Sequence, residues 1–166
     1  MNKIFGIGLG RSGSTSLTKA LQRLGFRVKH HPKVPIFYET VKSHNGVVNG
    51  FTLLVFEELD KMYPNSKFIL TLRNFSSWMI SCENYMNNTR RGWQKDLRIK
   101  VFGVDGWDYE KFRKSYTQHI KRVLKYFNNR KDLLILNICA GEGYEKLCPF
   151  LGKKILNEKF PHKNKG

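Results

Sequence analysis

Residues 7–17, IGLGRSGSTSL, hold the densest chemistry in this chain of 166 residues. Gly8, Gly10 and Gly13 follow an apolar run (Ile4, Phe5, Ile7, Leu9). Ser14, Thr15 and Ser16 then open a segment with Leu17, Leu21 and Leu24 on one helical face. That order reads strand, glycine loop, helix. Such a loop turns several backbone N–H groups and the positive end of a helix dipole toward one point, which suits an anion, usually phosphate. The glycines satisfy the dinucleotide spacing G-x-G-x-x-G. Gly8 and Gly13 with Ser14 and Thr15 also satisfy the P-loop spacing, except that Ser14 stands where the phosphate-binding lysine belongs. The cation lies inside the loop instead, at Arg11.

A second anion-seeking element is Arg73, which directly follows Lys67-Phe68-Ile69-Leu70-Thr71-Leu72. The nearly continuous apolar character of that run suits a central parallel strand covered on both faces. Ser76-Ser77-Trp78 then begin a helix to about Met86 that carries Ser81. Ligands of parallel sheets sit at the carboxyl ends of the strands. The glycine loop and Arg73 both fall on that edge, which suggests a ligand with two separated phosphates. His30 and His31 end a short strand on the same rim. Histidine has the intrinsic pKa to take a proton near neutral pH, so one of the two is the candidate general base, with Glu57 and Glu58 as fallbacks. His119, on the buried stripe of a long helix, reads as a packing residue, and Trp78, Trp93 and Trp107 as core or lid. Lys163 and Lys165 fall in a basic tail.

The elements that must position these residues follow from period and punctuation. A helix over 14–24 stops at Gly25, and 26–29 alternates as a strand. Pro32 and Pro35 break the irregular stretch 32–50, where a short helix covers 36–42. A helix over 51–62, a turn at Tyr63-Pro64-Asn65-Ser66, the strand 67–72 and the helix from Ser76 come next. Residues 89–107 read as a basic loop or lid with a short helix. Asp108 caps a long helix to about Phe127, a strand covers 132–138, and a last helix over 142–151 is closed by Gly152. Strand and helix alternating along one chain imply an α/β fold, a single domain over 1–166 with a central parallel sheet and helices on both faces.

Thirty Lys and Arg against thirteen Asp and Glu give a formal net charge of +17. That surplus favours nucleic acid, anionic surfaces or a multiply charged small ligand, although the basic residues are spread rather than stacked and no nucleic-acid module is visible. With a strand starting at Lys3 there is no room for a signal peptide, and no apolar run reaches the length of a membrane span. Cys82, Cys139 and Cys148, odd in number and without C-x-x-C spacing, suggest reduced thiols and a cytoplasmic setting. The sequons at Asn74 and Asn87 carry no meaning there.

Taken together, RSGSTSL (residues 11–17) and RNFSSWMIS (residues 73–81) resemble the 5′-phosphosulfate loop and the 3′-phosphate motif of P-loop sulfotransferases. YPNSKFILTLR, the helix bearing Tyr116 and His119, and GEGYEKLCPFLGK followed by KFPHKNK are similar to a short, soluble branch of that family. Residues 32–50 and 89–107 match least. The resemblance implies a three-layer P-loop-type fold. It also implies transfer of a sulfuryl group from 3′-phosphoadenosine 5′-phosphosulfate to an acceptor hydroxyl or amine, leaving adenosine 3′,5′-bisphosphate, with no metal required. Arg11, Ser12, Gly13, Ser14, Thr15 and Ser16 would hold the 5′-phosphosulfate, Arg73 and Ser81 the 3′-phosphate, and Arg11 the departing oxygen. The acceptor (small molecule, glycan or peptide) is not named by the motifs, and the two poorly matching segments are its expected walls. Ser16 stands where well-studied cytosolic members have an adenine-stacking aromatic, with Trp78 or the 89–107 segment as substitute walls. Asn49-Gly50-Phe51 replaces an Asp-x-Pro common in the short branch. The alternatives are a non-catalytic polyanion or nucleic-acid binder, an NADP-binding Rossmann enzyme and, against the missing lysine, a nucleotide kinase.

Overall fold

A computed structural model describes residues 2–86 and 91–162. Five short strands, β1 (Ile4–Gly6), β2 (Val28–His30), β3 (Gly46–Val48), β4 (Lys67–Thr71) and β5 (Leu133–Leu136), form one sheet in the order β2-β3-β1-β4-β5. Every pairing is parallel, so all five carboxyl ends share one rim. Parallel neighbours need crossovers. Helices supply them: α1 (Ser14–Arg23), α2 (Phe37–Ser43), α3 (Phe56–Met62), α4 (Phe75–Met86), α5 (Trp93–Phe102) and α6 (Tyr109–Tyr126), with α7 (Tyr144–Phe150) after β5.

The alternation of side chains along the strands builds the layers. Ile4, Val28, Val48, Ile69 and Leu136 face α1 and α7 through Leu17, Leu21 and Leu147. Phe5, Val47, Phe68 and Leu70 face α2, α3 and α6 through Val41, Phe56, Leu59 and Val123. The result is the three-layer α/β fold expected from the sequence. A third cluster, Leu9, Leu53, Trp78, Met79, Phe102 and Phe112, joins α4, α5 and the start of α6 beside the rim. At the opposite end, the buried Lys3 donates through Nζ to the carbonyls of Val41 and His44 at 2.8 and 2.6 Å. It thereby satisfies the end of α2, a position where helices favour cations.

Two elements differ from the sequence expectation. Residues 46–48, read as irregular, are β3, which lies between β2 and β1. Only three residues long, opened by Gly46 and flanked by Asn45 and Asn49, it carries no periodic signal, and pairing on both sides makes it a strand. The helix expected over 51–62 is broken into a tight turn at Gly50–Leu53 and α3. Leu53 must enter the third cluster while Phe56 and Leu59 enter the second, and one straight helix cannot serve both. Asp108 caps α6 as expected, its carboxylate accepting from Lys111 N at 2.9 Å. From β1 the chain leaves toward β2 and β3, and from β4 toward β5. A crevice therefore opens on the rim between the loops that follow β1 and β4, the usual ligand position in such sheets.

Candidate functional site

The loop after β1 is held by its carbonyls. His119 Nε2 lies 2.7 Å from the carbonyl of Ile7, the Ser12 hydroxyl donates to that of Leu9, Trp78 Nε1 to that of Gly10 at 2.8 Å, and Arg73 Nη1 to that of Arg11 at 3.4 Å. Peptide units are planar and trans, so each carbonyl held in this way turns the N–H of the residue that follows it, Gly8, Gly10, Arg11 or Ser12, away from the group that holds the carbonyl. Gly13 follows with φ 101° as the N-cap of α1, and no side chain caps the helix. The N-terminal end of α1 is thus added to the same concave surface. Gly8 is required by close approach: a Cβ there would stand 2.6 Å from the carbonyl oxygen of Thr71. The Ser12 hydroxyl, 2.7 Å from Thr71 Oγ1, ties the loop to β4.

Arg11 enters this surface from a left-handed backbone, φ 69°. Its Nε donates to Ser81 Oγ at 3.0 Å, and its guanidinium lies 4.9 Å over the Tyr85 ring. Arg73, at the end of β4, donates from Nε to Ser77 Oγ at 3.1 Å, while Tyr116 fixes its carbonyl at 2.7 Å. The two basic elements of the sequence therefore meet: Arg73 contacts Arg11 through the backbone, and Ser81 contacts it through the side chain. The thiol of Cys82 beside them is pushed up to about 12 by burial, against the pull of both arginines, so it stays protonated. Trp78 is fully buried; it braces the loop and offers no open face to an adenine.

On the other side of the loop β3 supplies Asn49. Its Nδ2 donates to Ser14 Oγ at 3.1 Å, and His30 Nε2 lies 3.1 Å from the same hydroxyl. Ser14, Asn49, His30 and His31 line a cavity of about 360 Å³ with Gly10, Arg11 and Thr15. Among the described residues, the non-glycine positions with positive φ are Arg11, His31, Asn49, Asn65 and Asn129. The first three all border this cavity. Strain of this kind gathers where a site is over-determined by its surroundings. Ser12 and Ser16 are buried and serve the loop from within. Sequence reasoning noted Asn49 only as a departure and gave Tyr85 and Tyr116 no role in the site. Nothing in their local pattern marks them, since each arrives from a separate element.

His30 is lowered to about 4 by burial and, second, by the neighbouring charge of His31. It is therefore neutral at pH 7. An unfolded histidine titrates near 6.5, so the unfolded chain binds the extra proton first. The stabilising difference is complete above pH 6.5 and is lost as pH falls toward 4. Between pH 7 and pH 5 this one residue is expected to remove about 2 kcal/mol of stability. Urea unfolding of the wild-type protein and His30→Gln at the two pH values checks it. An equal pH slope in both proteins refutes the assignment.

The sequence profile of the sulfotransferase domain matches residues 3–45, 33–107 and 94–166, overlapping segments that together run through the chain. The chain belongs to the sulfotransferase family. A further similarity is to Ava biosynthesis cluster protein M of Aspergillus versicolor, 24% identical over 96% of this chain and 80% of that protein. The alignment spans 214 positions against 166 residues here, so the relative carries inserted segments that this chain lacks. Membership accords with a sulfonate-transfer type of function. The segments 32–50 and 89–107 fall within the matched range. Among the described residues no helix is long and apolar enough to cross a membrane, and no cluster of three His, Cys, Asp or Glu side chains could hold a metal. Lys163, Lys165 and the Asn87 sequon lie outside the described residues.

Proposed function

We propose that the protein transfers a sulfuryl group from 3′-phosphoadenosine 5′-phosphosulfate to an acceptor hydroxyl or amine. The observation that supports this reading is the loop whose four carbonyls are each held by a side chain, with the N–H groups that follow them turned away from those side chains, beside Arg11 and, through the backbone, Arg73. The residues fit the group: a nest of amides, a helix N-terminus and Arg11 suit one anionic end, and Arg73 with Ser81 supplies charge and donors for a second. Gly10, which has open space where a Cβ would stand apart from Asn49 Nδ2 at 3.9 Å, leaves room for an anion against the backbone.

When bound, the donor supplies the sulfuryl group, and its phosphate oxygen departs with the bonding electrons. Arg11 neutralises the charge that gathers on that oxygen, and its fork can hold two oxygens at once. Ser14 adds a hydroxyl held between Asn49, which donates to its oxygen, and His30 Nε2 at 3.1 Å. His31 takes the acceptor proton. It borders the cavity, its backbone is held by a bond from its N–H to the carbonyl of Val48 at 2.8 Å, and its ring lies 5.4 Å from that of Trp93. His30, already engaged with Ser14 and with its basicity depressed, is the positioning partner. The expected acceptor walls, parts of 32–50 and 89–107, reach the same cavity through Asn49, Gly50, Leu97 and Val101.

Isothermal titration with adenosine 3′,5′-bisphosphate, NADP and ATP tests the reading. The bisphosphate is expected to bind best, and Arg73→Ala to weaken it at least about tenfold, the loss of one charged hydrogen-bonding partner. Preference for NADP or ATP would reject it. Tight, steeply salt-dependent binding to DNA without a response to the bisphosphate would assign the charge of +17 to a polyanion instead.

A further inference from the structure

One helix gathers both arginines of the rim. α4 carries Ser77, Ser81 and Tyr85 at intervals of four residues, which sets them one above another on a single face. Ser77 Oγ accepts from Arg73 Nε at 3.1 Å, and Arg73 Nη1 in turn donates to the carbonyl of Arg11 at 3.4 Å. Ser81 Oγ accepts from Arg11 Nε at 3.0 Å, and the Arg11 guanidinium lies 4.9 Å over the Tyr85 ring. From the buried side of the same helix, Trp78 donates to the carbonyl of Gly10.

Tyr85 does what a serine cannot. A ring attracts a cation through its face, within about 6 Å of the centroid, and uses up none of the cation's N–H donors. Among the described residues the hydrogen bond of the Arg11 side chain leaves from Nε, so Nη1 and Nη2 keep theirs for an anion. An arginine left loose has rotamer freedom to lose on binding. Ser81 and Tyr85 remove that freedom before an anion arrives. We propose that Tyr85 is a positioning residue of the donor site: it acts through Arg11, fixing the direction of the guanidinium so that the fork is set before the anionic end of the donor binds. The inference rests on the sulfuryl-transfer reading of the same site. Setting the side chain in advance spares its ordering cost at the moment of binding. It also places the charge where the departing oxygen needs it without reorganisation.

Tyr85 is 37% exposed and borders the cavity, so the rival role for its ring is a wall that touches the ligand itself. A wall works whether or not Arg11 is present; a positioning residue does not. A double-mutant cycle separates the two. Adenosine 3′,5′-bisphosphate is titrated by calorimetry into the wild-type protein, Tyr85→Leu, Arg11→Ala and the double variant. Tyr85→Leu is expected to weaken binding about fivefold, the ordering cost of one long side chain, and to cost nothing further once residue 11 is alanine. Tyr85→Phe, which keeps the ring, should stay within about twofold of wild type. Equal losses in both backgrounds overturn the proposal and make the ring a contact of the ligand. Unchanged affinity in Tyr85→Leu also overturns it, as does a loss in Tyr85→Phe as large as in Tyr85→Leu, which would assign the effect to the hydroxyl. If Tyr85→Leu does not fold, Tyr85→Met takes its place in the cycle. Failure of the donor reading is seen separately, as wild-type protein that does not bind the bisphosphate. The cycle is then run with inorganic pyrophosphate, which asks only for an anion at Arg11, and absence of binding there overturns this proposal as well.

Discussion

Arg11→Ala is expected to weaken adenosine 3′,5′-bisphosphate about 100-fold, close to 3 kcal/mol, and to slow sulfuryl transfer by about 10³-fold where an acceptor is available. The larger kinetic effect follows from the position of the charge. A guanidinium beside the loop stabilises the oxygen that gains charge as the bond breaks more than it stabilises the bound ground state. The fold should scarcely register the change. The carbonyl of residue 11, which accepts from Arg73, is retained, and the side chain gives up only the bond to Ser81 and the contact with Tyr85. A melting temperature within a few degrees of wild type is therefore part of the expectation. Arg11→Lys should recover part of the affinity, since it restores the charge without the fork. Titration of the three proteins, with melting curves, is sufficient. Undiminished affinity in Arg11→Ala would mean that the loop does not bind an anion through this residue.

Gly8→Ala acts on the frame rather than on the charge. The added Cβ would stand 2.6 Å from the carbonyl oxygen and 2.9 Å from the nitrogen of Thr71. Those are backbone atoms of β4, and β4 is paired to β1 on one side and β5 on the other. A flexible side chain could turn aside, but a strand held on both edges cannot. A destabilisation of about 3 kcal/mol or more is expected, at or above the upper end for overpacking, with loss of bisphosphate binding in whatever fraction folds. Gly25→Ala provides the comparison: φ is +86° and nothing lies within 4 Å of the added carbon. Only the left-handed backbone cost of about 1 kcal/mol applies there. Urea midpoints for the pair measure the difference. Equal costs would show that β1 and β4 can separate at the loop without penalty, and the crevice between them would lose its rigid wall.

The strong local signals survived into the structure because each is satisfied within a few residues. Gly13 caps α1, Gly25 ends it, Asp108 starts α6, and the apolar run at 67–71 is β4, an interior strand paired on both edges. The helix 51–62 misled for the opposite reason. Its periodicity is real, but the residues on its stripe belong to two clusters, and the chain has to turn between them. β3 was invisible because three residues cannot display a period. Missing it hid the site's second half. β3 sets Asn49 beside Ser14, and the parallel register that pairs His30 with Val48 brings His30 to the same hydroxyl.

What the amino-acid sequence determined by itself is a strand–glycine loop–helix unit, a second arginine on the same rim, and an alternation of elements that leaves few architectures other than a covered parallel sheet. Each of these depends on neighbours along the chain, so the order of residues contains it. Only the tertiary structure decided that Arg73, Trp78 and His119 hold the loop's carbonyls, that Arg11 is shared between Ser81 and Tyr85, and that Arg98 lies in the wall of the cavity. Those contacts join residues tens of positions apart. Their geometry is set by the strand order and by which helix face each core cluster claims, and no local pattern encodes either.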